Sequence, residues 1–160
     1  MPKIEIKLTD RSIGNAIKAV ERYQAWVSEK EKELRSRLAM LGATVASIRF
    51  ARAIYTGSND ITVRVDDTGS KAVIYAEGEA LLFIEFGAGI TYGYGHPQAG
   101  EFGYGPGTYS EDKDNWKNPK GWWFGSSQHT FGNPPAMAMY DAVQEIAKSV
   151  TEIAREVFRS

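Results

Sequence analysis

The sequence predicts an α+β fold: a small antiparallel sheet packed against a long N-terminal helix and a C-terminal helix, with a long Gly/aromatic-rich loop insertion. Three observations predict it. Apolar residues recur at steps of three and four over residues 13–41 and again over 139–157, the period of a helix with one covered face. Between them, "ITVRVDD" alternates apolar and polar, "DTG" at 67–69 signals a tight hairpin turn, and "KAVIYAEG" supplies a returning strand. From Gly89 to Pro135 the chain then turns to glycine, proline and aromatic rings. A chain of 160 residues buries roughly two thirds of its unfolded surface, so residues 1–160 read as a single domain carrying an extended arm at about 90–133.

The first element is "KIEIKL" at 3–8, whose alternation suits a short edge strand. Asp10 and Ser12 are both suited to capping the start of a helix. Ile13, Ile17, Val20, Tyr23 or Gln24, Val27, Leu34, Leu38 and Leu41 then trace a long amphipathic helix ending at Gly42. Its middle, "SEKEKELRSR", is almost wholly polar. That is either a solvated face bearing helical ion pairs, each contributing about 0.2–0.5 kcal/mol, or a contact with a neighbouring subunit. "ATVASIRFARAIY" reads as a second, shorter helix or as a helix turning into strand.

"GSND" at 57–60 is a turn. "ITVRVDD" follows as a strand with Ile61, Val63 and Val65 on one face, and "KAVIYAEG" is its returning partner. "EALLFIEFGAG" carries an apolar run broken by Glu85, its start helical and its end extended. "NPPAMAMYDAVQEIAKSVTEIAREVF" opens with prolines suited to a first helical turn. Met139, Val143, Ile146, Val150, Ile153 and Val157 form its apolar seam.

Several function classes lack support. A formal net charge of −1 is not the basic footprint of a protein that grips nucleic acid. With no cysteine there is no disulfide, thiolate metal site or thiol nucleophile. The N-terminus reads as neither a signal peptide nor an anchor, and "ALLFIEF" is too short to span a bilayer. The expectation is a soluble protein made in the cytosol, with no membrane partner.

Catalytic signals are sparse. His96 and His129 are not paired at helical spacing, so they read as hydrogen-bonding loop residues, and no metal or cofactor is expected. There is no G-x-S-x-G elbow or P-loop, and "GYGPG" lacks the Lys-Ser/Thr that a phosphate loop requires. Glu85 and Glu101 are the only candidate acid pair for glycoside hydrolysis. The simpler reading of Glu85 is a satisfied buried or inter-subunit charge, because an unpaired one is costly.

The aromatic residues are the strongest binding signal. Tyr92, Tyr94, Phe102, Tyr104, Tyr109, Trp116, Trp122, Trp123, Phe124 and Phe131 all fall between Gly89 and Pro135. They cannot all point inward from a loop, so they are the expected subunit or partner contacts. Three readings stay open: a loop folded back over its own core, a self-assembly arm, and a carbohydrate-stacking platform.

"LLFIEFGAG" at 81–89, followed after an insertion by "GNPPAMAMYDAVQEI", resembles the tail-completion, or neck, proteins of long-tailed bacteriophages. Glu85, Phe86, Gly87 and Gly89 match the family's turn, with Ala88 where threonine or serine is usual, and Pro134, Pro135 and Ala136 match its lead into the last helix. Gly121, Trp122 and Trp123 look similar to the G-W-W loop of some members. Residues 90–133 separate the two motifs here, a longer interval than in many members.

The resemblance implies a non-enzymatic structural protein of the virion neck or tail, synthesised in the host bacterial cytoplasm. It would assemble with itself as a ring, usually a hexamer, that joins tail to head. Its partners would be head-connector or head-completion proteins and tail-terminator or tail-tube proteins. Double-stranded DNA would pass through the lumen without specific binding. A tail terminator is the nearest alternative, and a carbohydrate-binding module a more distant one.

Overall fold

The structure, a computed structural model, describes residues 9–89, 95–102, 118–124 and 128–159. Its elements are α1 (Asp10–Ala51), β1 (Thr62–Thr68), β2 (Lys71–Glu77), α2 (Leu81–Phe86), β3 (Trp122–Phe124), β4 (Gln128–Thr130) and α3 (Ala138–Arg159). This is the expected α+β arrangement, a long N-terminal helix and a C-terminal helix with a small antiparallel sheet packed on them. The strand expected at 3–8 lies outside the described residues.

α1 departs from expectation at both ends. Its cap is Thr9, in place of Asp10 or Ser12. The Ser12 N–H donates to Thr9 Oγ1 at 3.2 Å while the Thr9 N–H donates to the Ser12 hydroxyl at 2.8 Å, a reciprocal capping box. Nor does the helix stop at Gly42: the expected second helix, or helix-to-strand change, is the last turns of the same 42-residue helix. Packing explains this. A Cβ on Gly42 would stand 2.6 Å from Cδ1 of both Ile146 and Ile74, so the bare backbone lets α3 and β2 close onto α1. A mid-helix glycine costs about 1 kcal/mol relative to alanine, a cost set against the apolar area that Ile74 and Ile146, both partly covered, bury by closing onto α1.

α3 runs antiparallel to α1. Asp141 pairs with Arg49 at 2.7 Å and Glu156 with Arg37 at 3.4 Å, and the Phe158 ring meets Trp26 edge-on at 5.8 Å. α1 therefore overhangs the end of α3 by residues 10–25, about 24 Å at 1.5 Å per residue.

The polar middle of α1 is tied down within the chain. Arg35 Nε meets Asp67 Oδ1 near the β1–β2 turn at 2.8 Å, Lys30 reaches Glu33 at 3.2 Å, and Arg37 bridges Glu33 and Glu156. The hydrogen bond from Lys30 leads the effects that hold the Glu33 carboxyl below its usual range.

The β1–β2 hairpin pairs Thr62 with Glu77 through to Thr68 with Lys71. Burial alternates along both strands, with Val63, Val65, Ala72, Ile74 and Ala76 partly covered and their neighbours exposed, apart from the ion-paired Asp67; in β1 this follows the sequence pattern, whereas in β2 the exposed Val73 and Tyr75 are apolar as well. The "GSND" turn does more than reverse the chain. Asn59 Nδ2 donates to the Phe50 carbonyl in the last turn of α1 at 2.8 Å, and Asp60 Oδ2 accepts the Glu79 N–H ahead of α2 at 2.9 Å. That backbone hydrogen bond is the main reason the Asp60 carboxyl sits below the ordinary carboxylate range. Ala46, Phe50, Ala80, Ile84, Ala138 and Ala142 form the core where α1, α2 and α3 converge.

Three further expectations are corrected. The stretch read as loop carries a second hairpin, β3–β4, pairing Trp122 with Thr130 and Phe124 with Gln128. Pro134 and Pro135 precede α3 and are not in its first turn, because Met137 turns the chain with φ of 51° before Ala138 begins the helix. The seam of α3 is split: Ala138, Ala142 and Val157 are buried, whereas Val143 is 61% exposed and Val150 37%.

Gly42→Val is expected to destabilise the chain by about 1–3 kcal/mol through overpacking, against a gain of a few tenths of a kcal/mol or so in helix propensity. Urea unfolding should show a lower midpoint; an unchanged midpoint would contradict the close approach of the three elements.

Candidate functional site

α2 has six residues, too few to stand alone in water. Its last carbonyls need partners, and the segment leading into α3 supplies them. Asn133 Nδ2 donates to the Phe83 carbonyl at 2.7 Å, the Ala136 N–H to Ile84 at 2.8 Å and the Met137 N–H to Glu85 at 3.3 Å. Ala88 and Asn133 then exchange backbone hydrogen bonds at 2.9 and 3.1 Å. Gly87 makes this fit possible. It has φ of 76°, and a Cβ there would lie 2.8 Å from the Pro135 nitrogen.

The return contact comes from Glu85. Met137, directly before α3, accepts the Asp141 N–H on its carbonyl at 2.8 Å but has no side-chain oxygen with which to cap the helix. Glu85 does so from outside the segment. Its Oε2 accepts the Ala138 N–H at 2.7 Å, its Oε1 accepts the Tyr140 N–H at 3.2 Å, and both oxygens accept the Met139 N–H, at 3.1 and 3.2 Å. The residue is 5% exposed. Moving a carboxylate out of water costs several kcal/mol. Hydrogen bonds to charged groups at about 1.5–3 kcal/mol each, with the helix dipole adding up to about 2 kcal/mol, offset that cost.

His96 closes the remaining side. The Gln98 N–H donates to His96 Nδ1 at 3.1 Å, which leaves the ring proton on Nε2, facing Glu85 Oε1 at 3.4 Å. The His96 ring packs on Phe86 with centroids 4.5 Å apart and edge-on to Tyr140 at 5.7 Å. Both oxygens of Glu85 and both nitrogens of His96 are engaged, so the pair locks α2, α3 and the 95–102 segment together. Glu101 does not share this environment. It is exposed, and its Oε2 accepts from the Gln98 side-chain amide at 3.4 Å.

Around this lock runs a groove of about 240 Å³ whose walls include Leu82, Phe86, Phe102, Tyr140 and Val143. Phe102 is 58% exposed and packs on Phe86 at 6.0 Å. A second aromatic group lies on β3–β4. His129 stands between Trp123 and Phe131, edge-on to both, at 5.1 and 4.9 Å, and all three are exposed. Trp122 instead turns inward to a cavity of about 50 Å³ with Tyr55, Phe83 and Asn133. Burial there, reinforced by the Asp60 charge, pushes the Tyr55 hydroxyl up from its ordinary value.

The structure thus brings Glu85, Phe86, Gly87 and Gly89 against the 131–135 segment that contains Pro134 and Pro135, joining the two motifs noted in the sequence. It separates the expected contact residues, with Trp122 inward and Trp123, Phe131 and Phe102 outward. For Phe124 the structure describes the backbone in β3 only. Tyr92, Tyr94, Tyr104, Tyr109 and Trp116 lie outside the described residues. Sequence reasoning misses Asn133 and the role of Met137. A helix start lacking Ser, Thr, Asp or Asn is the signal that its cap comes from elsewhere. Among the described residues, no three His, Asp or Glu side chains are placed to hold a metal ion, and no helix is long and apolar enough to cross a membrane. Compared with family models, curated proteins and solved structures, the chain matches none.

Glu85→Ala removes a cap worth about 0.5–2 kcal/mol and leaves buried N–H groups unpaired at about 1–3 kcal/mol. The expected loss is roughly 2–4 kcal/mol, with Glu85→Gln losing less because it keeps one acceptor oxygen. A thermal melt in which both variants match the wild type would contradict the capping role.

Proposed function

We propose that this chain is a structural virion protein of a long-tailed bacteriophage, forming a ring in the neck that joins tail to head and leaves a channel for DNA. The observation that carries this reading is the apolar surface left open once the polar groups of the Glu85 lock are engaged. Trp123, Phe131, Phe102 and Val143 are each more than half exposed, on β3–β4 and its end, the 95–102 segment and α3. Clustered rings of this kind mark interaction surfaces.

Two other features support it. The turn and the proline lead that resemble the neck family meet in one interlocked unit, so the resemblance rests on residues that act together. A net charge of −1 suits a conduit, because DNA held by many phosphate contacts would not slide. The proposed partners are further copies of this chain, a head-connector or head-completion ring on one side and tail-terminator or tail-tube subunits on the other. A terminator at the end of the tail would use the same kind of contacts in a different position.

Immunogold electron microscopy of purified virions tests this role. The expected result is label at the head–tail junction, with purified protein forming closed rings around an axial opening. A protein absent from virions would refute it.

A further inference from the structure

We propose that residues 3–8 of one copy add as a third strand to the open edge of β1 in the next copy. The ring proposed above gives this contact its setting, but its geometry rests on the strand pattern and on the reach of the chain.

β1 and β2 form a two-stranded sheet, so each strand leaves the N–H and C=O groups of alternate residues pointing away from its partner. Among the described residues, the backbone of β1 bonds only to β2. Ile74 of β2 shares the space over Gly42 with Ile146 of α3, which sets β2 beside α3 and β1 on the outer side. An open edge seven residues long is a template for another strand.

The occupant is legible in the sequence. "KIEIKL" places Ile4, Ile6 and Leu8 on one face of a strand and Lys3, Glu5 and Lys7 on the other. Added beside β1, the first set extends the half-covered face of Val63 and Val65, and the second joins Arg64 and Asp66 on the exposed face. Charge sets the register. Glu5 opposite Arg64 brings a lysine opposite Asp66 whichever way the strand runs, so unlike signs face each other at both positions. Asp66 is exposed and in no ion pair among the described residues, and Arg64 reaches Glu77 only at 3.8 Å. Along the edge of β2 the exposed face runs Lys71, Val73, Tyr75, Glu77, where no register gives more than one unlike pair.

A single copy cannot make this pairing with itself. Ile74 stands against Gly42, 33 residues beyond Thr9, about 50 Å along α1 at 1.5 Å per residue. From there the strands run back toward the start of α1 for only three more residues, to Thr68 and Lys71, about 10 Å. The near end of the sheet thus lies about 40 Å from Thr9, whereas Lys3, six residues from Thr9, reaches about 22 Å when fully extended. The overhang of α1 carries residues 3–8 away from their own sheet and toward a neighbouring copy. One patch meets a different patch, so the contact propagates from copy to copy and closes as a ring when the rotation permits.

The test uses the full chain, which has no cysteine of its own. The double variant Glu5→Cys with Arg64→Cys, oxidised after assembly, is expected to run on a non-reducing gel as a ladder of multiples of 17.7 kDa, because facing residues of paired strands lie within disulfide reach. Glu5→Cys with Tyr75→Cys should give no ladder: Tyr75 pairs with Arg64 from the far side, one strand further and about 10 Å from Glu5. Adding Ile4→Pro and Lys7→Pro to the first variant removes an N–H from each side of the new strand and should abolish the ladder with circular dichroism unchanged. A ladder that survives the prolines, a disulfide closed within one chain, no disulfide at all, or an equal ladder from the Tyr75 pair would each overturn the proposal.

A ladder from a protein absent from virions would sink the neck reading and leave the contact standing. Label at the head–tail junction with no ladder would do the opposite.

Discussion

Glu85 is the constraint on which the centre of the structure depends. It is a charged side chain inside a short apolar helix, and it is tolerable there because three backbone N–H groups of α3 and the His96 ring converge on it. The reverse also holds. α3 starts behind a methionine that cannot cap it, so its first turn would expose or bury unpaired donors without a carboxylate supplied by another element. Each part supplies the group that the other lacks.

Much of the surrounding geometry follows from that exchange. To bring Glu85 under α3, α2 must end against the 133–137 segment, and Asn133 with the Ala136 and Met137 amides takes up its carbonyls. Gly87 permits the close passage and Phe86 turns its ring onto His96. The 95–102 segment is thereby fixed beside α3 with Phe102 outward. The polar groups hold the elements together, and the surface they leave is apolar and aromatic, which is a basis for association.

The regular elements are legible in the sequence where one signal dominates. The β1–β2 hairpin follows from the alternation of β1 plus a turn, and the existence of both long helices from their period. Gly42 misleads because a glycine near the end of a periodic run reads as a stop, whereas its role is to admit Ile74 and Ile146, two residues distant in sequence. Thr9 is hidden as a cap because Asp10 and Ser12 are equally good caps in isolation. The split seam of α3 is illegible for a related reason: an apolar arc of roughly 200° shows no preferred half until a partner covers one. At the site, Glu85 is recognisable as a buried charge in need of partners, but those partners lie 11 and more than 50 residues away and only the fold brings them to it.

Amide hydrogen exchange at Ala138, Met139 and Tyr140 tests the Glu85 clamp most directly. The first amides of an ordinary helix have no intrahelical acceptor and exchange quickly. If Glu85 holds this junction, these three should be protected as strongly as amides in the middle of α3. Exchange at the rate of an exposed helix start would contradict the account.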